Sequence, residues 1–554
     1  MRSGSVTAAL LLAAVLAAAL IGLQQASTKD SSPALSFSAD SQQSPIVDHT
    51  EMFERLGITR YEGAKTCYPC HPEEVREVHK SIHYQMANLV DDVEGLTAPI
   101  YYGSRYIYND YCGSIFYNGT VPVNWIGNVT LKVAPEGKSE LTGRFIASGC
   151  SMCHGTSFGA IPKLEFTEEQ LANIDCLACH STVYKRGSLG LKEGWVVLVK
   201  TDGGYRYEPN PKIDVLELAK TIIRKPTKEN CLACHAFSDG GPHFKRPNIG
   251  PFLMDNVSRD IDVHFAAGLS CIDCHKFEDH KISTKSADTW AREGGRTLQC
   301  SSCHPAKGEA PDEAASYVLP RHTSLVIGWI LESIHVEKVA CQTCHIPYIA
   351  KDERYPTDVR RDWSRSEFNE KLGRWEPVVE LRAMVEPVYK WYNGETRKAY
   401  IYPSPIQPVD GKIVLAEPVG SREDEGSKMY PFKYHEAVVP YDPQAMMPVP
   451  VKVGVVFATG NVTKAAHLGA AAAGLTFKGD YVTLVRYMQV NHGVSPADDA
   501  LFCFDCHGFW PTRMHWVELG YGHYPKIAAA AITAAFVAVV AAVVWLIYRR
   551  ARAK

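Results

Sequence analysis

The sequence predicts a mainly α-helical chain with little regular secondary structure, a small β-containing region at about residues 370–490 and one C-terminal transmembrane helix. Three observations lead to this prediction. The triplet Cys-x-x-Cys-His occurs eight times in 554 residues, segments such as 72–86 and 332–345 next to triplets read as short amphipathic helices, and residues 527–548 are apolar and uncharged. The net charge of −3 and the 46% of hydrophobic residues exclude a nucleic-acid-binding protein and a disordered chain.

The eight triplets use 16 of the 17 cysteines. This triplet is the attachment pattern of haem c, in which both thiols bond to the porphyrin and the histidine binds the iron as proximal ligand. The cysteine pairs are Cys67/Cys70, Cys150/Cys153, Cys176/Cys179, Cys231/Cys234, Cys271/Cys274, Cys300/Cys303, Cys341/Cys344 and Cys503/Cys506. The histidines are His71, His154, His180, His235, His275, His304, His345 and His507. Zinc sites, disulfides and redox pairs do not repeat this histidine eight times, so we expect eight covalently bound haem c groups.

The other 13 histidines (21 − 8) are enough to supply a second, distal ligand to eight irons. Sequence position favours seven of them, and the plainer alternative for each is a surface or core histidine. The seven candidates are His83, His243, His264, His280, His335, His435 and His492. His79 and His322 are reserves, whereas His49, His467, His515 and His523 are expected not to bind iron.

Both ends of the chain predict export. Residues 1–27 read as a signal peptide or an N-terminal anchor, 527–548 as a membrane span and 549–554 as a basic cytoplasmic tail. These features predict a single-pass cell-membrane protein whose body lies on the periplasmic side.

Between these ends the triplets divide the chain. Residues 28–66 form a lead-in, 67–345 a region with seven triplets, and 346–510 a region rich in proline and aromatic residues with the eighth triplet. In the last region, Val388–Tyr392 and Lys398–Tyr402 flank Asn393-Gly394 and predict a β-hairpin.

An iron with two histidine ligands transfers electrons, whereas catalysis needs an open or displaceable ligand. Two features offer such chemistry. Cys112 is the one cysteine outside the triplets, and its plainer alternative is a buried apolar cysteine. Lys185, just after the third triplet, can bind iron when it is deprotonated; its alternatives are a solvated basic loop and a salt bridge to a haem propionate.

Several stretches follow one another in an order that resembles the octahaem tetrathionate reductase family of c-type cytochromes. They are EVHKSIHYQM, IDCLACHSTVYKR, RKPTKENCLACHAFSDGG, SRDIDVHFAAGLSCIDCHKFEDH, EKVACQTCHIPYIAK, RDWSR, KWYNGETRKAY and MYPFKYHEAVVPYDP. The resemblance covers about residues 60–510. It implies seven haems with two histidine ligands and one haem with a lysine in the distal position, which is the active site.

The resemblance also implies an Asn-x-x-Cys pair at that active site. Asn109 and Cys112 match the pair, Lys185 is the best match to the lysine, and His154 is the expected proximal ligand of the special haem. The implied activity is the reduction of a small inorganic compound of sulfur or nitrogen, such as tetrathionate, nitrite or hydroxylamine. The implied electron source is a donor cytochrome or a quinol-linked membrane partner.

Two other functions remain open at this point. A non-enzymatic electron conduit would have strong ligands on all eight irons. An enzyme similar to hydroxylamine oxidoreductase would have a tyrosine covalently joined to one haem, and the chain has 27 tyrosines.

Overall fold

The computed structural model describes most of the chain from residue 45 onwards. The described residues are 45–116, 153, 157–185, 194–201, 204–254, 256–284, 299–305, 322, 328, 331–370, 373–394, 396–507, 512–522 and 524–552. The predicted signal peptide at 1–27, Cys150, His154 and His523 lie outside them.

Short helices carry the Cys-x-x-Cys-His triplets. The first described helices are α1 Thr50–Arg55, α2 Ala64–Cys67, α3 Pro72–Lys80, α4 Ile82–Gln85, α5 Glu168–Asn173, α6 Leu177–His180, α7 Val215–Ala219, α8 Lys228–His235, α9 Val263–Ala266, α10 Cys271–Cys274, α11 Cys300–Cys303, α12 Val336–Lys338 and α13 Cys341–His345. Side-chain caps and local backbone geometry determine where some of these helices begin and end. Thr227 and Asn230 form a capping box at the start of α8, and Ser81, with extended backbone, separates α3 from α4.

Strands occupy more of the chain than the sequence predicts. They are β1 Asn88–Val90, β2 Ile100–Tyr102, β3 Val196–Thr201, β4 Gly204–Pro209, β5 Phe277–Glu278, β6 Lys281–Ile282, β7 Thr357–Asn369, β8 Arg374–Arg382, β9 Val388–Tyr392, β10 Arg397–Ala399, β11 Lys412–Pro418, β12 Lys428–Asp442, β13 Met447–Pro448 and β14 Tyr481–Gln489. The first six form three two-stranded ribbons. The other eight form one mixed sheet in the order β10-β11-β14-β12-β7-β8, with β9 and β13 paired to β12.

The largest apolar core lies on this sheet, where the helices α14 Val453–Thr459 and α15 Val462–Ala473 cover it. Gly469 allows α15 to approach closely, because a Cβ atom there would lie 1.6 Å from the Pro450 carbonyl oxygen. Cys112 and Trp363 also contact this core. The sheet therefore supports the segment that contains Cys112.

The predicted fold class is wrong in its balance of helix and strand. The β region spans 357–489 and is an eight-stranded sheet, so the chain has a mixed α and β fold rather than a mainly α fold. The predicted hairpin is also absent: β9 pairs with β12, whereas β10 pairs with β11. The aromatic side chains of β9 pack instead against Met429, Met514 and Trp516, and this burial outweighs the local turn preference of Asn393-Gly394.

The C-terminal part contains α16 Cys503–His507 and α17 Tyr524–Arg552. Among the residues that the structure describes, no helix is long and apolar enough to cross a membrane. We therefore correct the predicted transmembrane helix at 527–548 and the predicted single-pass membrane localisation. That prediction relied on the absence of charge, but nine of those 22 residues are alanines, and each alanine adds only one methyl group of apolar surface.

Candidate functional site: paired histidines and a polar cluster around Cys112

Seven triplet histidines each face a histidine from elsewhere in the chain. The pairs, with the distance between ring centres, are His71–His49 (6.4 Å), His180–His280 (6.1 Å), His235–His83 (6.4 Å), His275–His492 (6.1 Å), His304–His264 (6.1 Å), His345–His322 (6.2 Å) and His507–His335 (6.2 Å). The eighth triplet histidine, His154, lies outside the described residues.

These distances fit an iron between the two rings. A metal about 2.0–2.1 Å from each ligating nitrogen separates two imidazole centres by roughly 6.3 Å, since the nitrogen itself lies about 1.1 Å from the ring centre. The hydrogen bonds also fit, because a ligating imidazole usually donates its other N–H to an oxygen. In five of the paired rings Nδ1 contacts a carbonyl or carboxylate oxygen and leaves Nε2 for the metal; these are His49, His180, His275, His280 and His322.

The pairs include most of the candidate distal ligands. Five of the seven candidates lie in them, namely His83, His264, His280, His335 and His492. The reserve His322 faces His345, and His49, expected not to bind iron, faces His71. His79, the other reserve, is buried against Tyr84 and Phe166.

The other two candidates, His243 and His435, lie outside these seven pairs, and their role as iron ligands stays a prediction. In His243 the ligand nitrogen is engaged, because Nε2 accepts a hydrogen bond from the Asn248 amide at 2.8 Å while Nδ1 lies 2.8 Å from the Tyr355 carbonyl oxygen. His435 lies between two carboxylates, with Nδ1 2.6 Å from Asp110 and Nε2 3.3 Å from Asp358. Neither arrangement directs a nitrogen at one of the seven triplet histidines that the structure describes.

The attachment cysteines of the seven triplets with a described histidine lie close to one another. Electrostatic contacts join Cys67 to Cys176, Cys179 to Cys231, Cys231 to Cys271, Cys274 to Cys303, Cys300 to Cys341 and Cys344 to both Cys503 and Cys506. The triplets of His71, His180, His235, His275, His304, His345 and His507 therefore form one continuous row.

The described attachment cysteines differ in their exposure, as Cys70 and Cys234 show. Cys70 is exposed, and its amide donates to the Cys67 carbonyl at 3.1 Å. Cys234 is half-buried in α8, and its carbonyl accepts from the Phe237 amide at 3.3 Å. The bonds of these two thiols to haem stay a prediction from the triplet pattern.

Asn109 and Cys112 meet at a buried carboxylate. One oxygen of Asp239 accepts a hydrogen bond from Asn109 Nδ2 at 2.8 Å and lies 3.4 Å from Cys112 Sγ. The other oxygen lies 3.0 Å from Nζ of Lys245, and both side chains of this ion pair are at most 5% exposed. The Asn109 side-chain oxygen accepts from the amides of Tyr111 and Cys112, which fixes the turn that contains the thiol.

A second buried network of hydrogen bonds and ion pairs anchors this turn to the sheet. Asp110 contacts His435 at 2.6 Å and accepts from Arg486 Nε at 2.8 Å. Burial raises the pKa of Asp110, but Arg486 and His435 outweigh that effect and hold it well below its usual range. Asp110 is therefore a buried anion that joins the turn to strands β12 and β14.

Cationic groups surround Tyr111 in the same turn. Lys433, Lys245 and Arg361 lie 5.4, 5.5 and 5.6 Å from its ring centre, and the His435 ring stacks on it at 3.8 Å. Burial opposes the charge of Arg361, but Asp358, Cys112 and Asp239 raise its pKa overall. Positive charge is therefore concentrated beside the thiol.

Lys185 lies at the end of a described segment and is partly buried. Its neighbour Tyr184 packs in the same apolar cluster as Cys153 of the second triplet, whereas Cys112 contacts the core on the sheet. His154 lies outside the described residues, so the structure gives no distance between it and Lys185.

Asp239, Lys245 and Arg361 do not stand out in the sequence. Asp239 follows the fourth triplet by four residues in Ser-Asp-Gly-Gly and has a left-handed backbone with φ of 62°. An acidic residue in such a turn is the one local signal that could have identified it. Lys245 and Arg361 have no such signal, because long-range folding brings them to Cys112.

Known proteins match this chain in three ways. Residues 350–509 match the family model described as "Cytochrome c bacterial". An uncharacterised protein of Archaeoglobus fulgidus is 50% identical over 255 residues, which is 45% of this chain and 84% of that relative, and the two belong to one family. The fold is similar to the crystal structure of an octahaem cytochrome c from Shewanella oneidensis, with a TM-score of 0.57 and 23% identity over 87% of this chain and 96% of that one.

Together with the repeated triplets and the paired histidines, these matches mean that the chain binds haem c covalently. This chain belongs to the multihaem c-type cytochromes.

Proposed function

We propose that the protein is an octahaem enzyme that reduces a small oxyanion of sulfur, such as tetrathionate, or a small nitrogen compound, such as nitrite or hydroxylamine. The observation that carries this proposal is the position of Cys112. The one cysteine outside the haem triplets lies 3.4 Å from a buried carboxylate that an asparagine and a lysine also contact. A thiol that only filled apolar space would not need this carboxylate beside it.

The charge around this thiol supports an anionic substrate. Within the part of the cluster that the structure describes, four basic side chains (Lys245, Lys433, Arg361 and Arg486) face three acidic ones (Asp110, Asp239 and Asp358). Such an excess of positive charge in a buried site favours a bound anion and stabilises negative charge that develops on it.

Bound haem c supplies the electrons for this reduction. Asp239 is placed to accept the Cys112 proton, while Lys245 neutralises the carboxylate and Asn109 holds the turn. With tetrathionate, attack of the thiolate on the central sulfur–sulfur bond releases one thiosulfate and leaves a mixed disulfide on Cys112. Two electrons then release the second thiosulfate and return the thiolate, so that no further oxidant or reductant is needed.

Lys185 is our candidate, together with His154, for a residue that would hold the iron of the catalytic haem. Tyr184 supports this assignment, because it packs in the same cluster as Cys153 of that triplet. In its ammonium form the Lys185 side chain would attract an anionic substrate.

The row of triplets supports delivery of electrons to this site. Seven triplets are in contact one after another, and each has a paired histidine at a metal-binding distance. A donor cytochrome or a quinol-linked partner is the proposed electron source.

Turnover of the haem-loaded protein tests the proposal. With a reduced viologen dye as donor, tetrathionate, nitrite and hydroxylamine are compared in parallel assays. We expect Cys112→Ser and Asn109→Ala to lower kcat/KM by about 100-fold for the preferred substrate, as loss of a group that stabilises a transition state does. Asn461→Ala, which removes a helix cap far along the chain, should leave turnover unchanged. Equal turnover in all variants would overturn the proposal.

The rival function is an electron conduit without catalysis. Magnetic circular dichroism of the oxidised protein separates the two, since a conduit should show bis-histidine irons alone. We expect one histidine–lysine iron, which Lys185→Ala converts to a high-spin iron. A spectrum with eight bis-histidine irons would exclude the enzyme.

A further inference from the structure

Asp262 is a buried carboxylate that joins two segments of the chain, and each segment carries a histidine that faces a triplet histidine. The first segment is α9, in which the centre of the His264 ring lies 6.1 Å from that of His304. The second follows β14, and the centre of its His492 ring lies 6.1 Å from that of His275. Asp262 is only 2% exposed. The reaction proposed above does not use it.

Both oxygens of this carboxylate accept hydrogen bonds from the backbone. One oxygen accepts from the amides of His264 and Phe265 at 2.8 and 3.1 Å, and so caps the start of α9. The other accepts from the amides of Gly493 and Val494 at 2.7 and 3.2 Å, directly after His492. An ionised carboxylate accepts on both oxygens and has no hydrogen to donate, so it can serve all these amides at once. Such bonds are stronger than bonds between neutral groups.

The two facing histidines serve neighbouring triplets of the row. Cys274 directly precedes His275, and Cys303 directly precedes His304. The two cysteines are in electrostatic contact with each other, and Asp262 is in electrostatic contact with Cys274 as well. Asp262 is therefore close to two consecutive haem attachment sites.

We propose that Asp262 is a positioning residue that holds the distal histidines of two consecutive haems, His264 and His492, at the same time. This role requires covalent haem binding, but it does not depend on the reaction proposed at Cys112. A residue that fixes two distal ligands together keeps two neighbouring irons of the electron path closed to outside ligands.

Other contacts keep the two backbone segments in place when the carboxylate is removed. The Val263 amide donates to the Val494 carbonyl at 2.9 Å, and Asn248 Nδ2 donates to the His492 carbonyl at 2.8 Å. Loss of the Asp262 side chain should therefore loosen the two histidines without unfolding the segments that carry them.

Displacement of the distal histidine by carbon monoxide tests this proposal without any substrate. In the reduced, haem-loaded protein, carbon monoxide binds to a haem with two histidine ligands only after the distal histidine leaves the iron. The binding rate, measured by rapid mixing, therefore reports how firmly that histidine is held. His264→Ala and His492→Ala each open one position, and the phase that becomes fast in each variant identifies the corresponding haem.

Asp262→Ala should raise the binding rate at both haems by roughly ten-fold, because each segment loses its hydrogen bonds to a charged group. Asp262→Ser should accelerate only the haem of the His275–His492 pair, because serine also caps a helix but has no second oxygen for Gly493 and Val494. The other haems should keep their wild-type rates in both variants, which a general loosening of the fold would not allow.

Asp214→Ala is the matched control. Asp214 caps α7, which contains no histidine, and accepts from the Leu216 amide at 2.9 Å. All its binding rates should equal those of the wild type. Unchanged rates in Asp262→Ala, or acceleration of only one haem in that variant, would overturn the proposal. Any result for Asp262→Ser other than acceleration of the His275–His492 haem alone would also overturn it.

If Asp262→Ala fails to load haem, Asp262→Asn replaces it. The amide keeps the shape of the side chain but has a single acceptor oxygen, so its NH2 group must face backbone N–H groups at one end. One of the two haems should then bind carbon monoxide roughly ten-fold faster than in the wild type. Wild-type rates at both haems would overturn the proposal.

Discussion

The Cys112 thiol lies 3.4 Å from a carboxylate oxygen of Asp239, although 127 positions separate the two residues. The same oxygen accepts a hydrogen bond from Asn109. One buried carboxylate therefore joins the two residues that the family resemblance implies for the active site. It also joins them to Lys245, which the resemblance did not include.

Asp239→Asn should weaken catalysis while it preserves the shape of the side chain. The amide cannot accept the Cys112 proton as a carboxylate can, and it leaves the buried Lys245 without its counter-charge. We expect kcat to fall by about 10²-fold or more in the dye-linked assay, as removal of a general base does. Asp498→Asn at the surface is the control; if both variants turn over equally, Asp239 has no role in the reaction.

His49→Ala should create one high-spin iron. Its ring centre is 6.4 Å from that of His71, and its Nδ1 contacts the Val47 carbonyl oxygen, so Nε2 is directed away from the backbone. Removal of this ligand leaves an open coordination position. His515→Ala is the control, because the His515 side chain is 71% exposed and contacts Glu518. Magnetic circular dichroism that shows no high-spin iron in His49→Ala would contradict the pairing.

His49 and His435 illustrate how far the sequence predicts this site. The proximal ligands follow from a five-residue pattern, because the attachment reaction needs both thiols and the histidine close together along the chain. A distal ligand has no such local requirement and is chosen by tertiary contact. The sequence therefore excluded His49, which faces His71, and included His435, which lies between two carboxylates.

The sequence did not predict the eight-stranded sheet, for a related physical reason. In a haem-rich chain the triplets dominate the pattern, and the strands β7 and β12 contain many charged residues that pair inside the fold, such as Arg361 with Asp358. These charges obscure the alternation of apolar residues that identifies a strand. The aromatic region at 346–510 was recognised as different, but its pairing order depends on long-range contacts.

His243→Gln should reduce the loss of stability in acid. Burial lowers the pKa of His243 to about 4, so the folded protein holds this ring neutral. The folded-state pKa is depressed, so the stability from neutral His243 is complete above the ordinary pKa of about 6.5 and is lost as pH falls towards 4. Glutamine can keep bonds to Asn248 and Tyr355 without titrating. Between these pH values the Tm of the wild type should therefore fall more than that of His243→Gln, and parallel decreases would contradict this reasoning.

Asp110→Asn should be the most destabilising of these changes. Asp110 is fully buried and contacts both Arg486 and His435, so the neutral amide leaves charge in the interior without a partner. Breaking such a buried pair costs about 3–5 kcal/mol, whereas a surface pair contributes about 1 kcal/mol or less. Glu436→Gln, which breaks the exposed pair with Lys412 on the same sheet, is the matched control. Chemical denaturation of the haem-loaded variants measures both costs. Equal losses of unfolding free energy in the two variants would mean that water reaches Asp110. The turn that holds Cys112 would then be anchored by the sheet core rather than by charge.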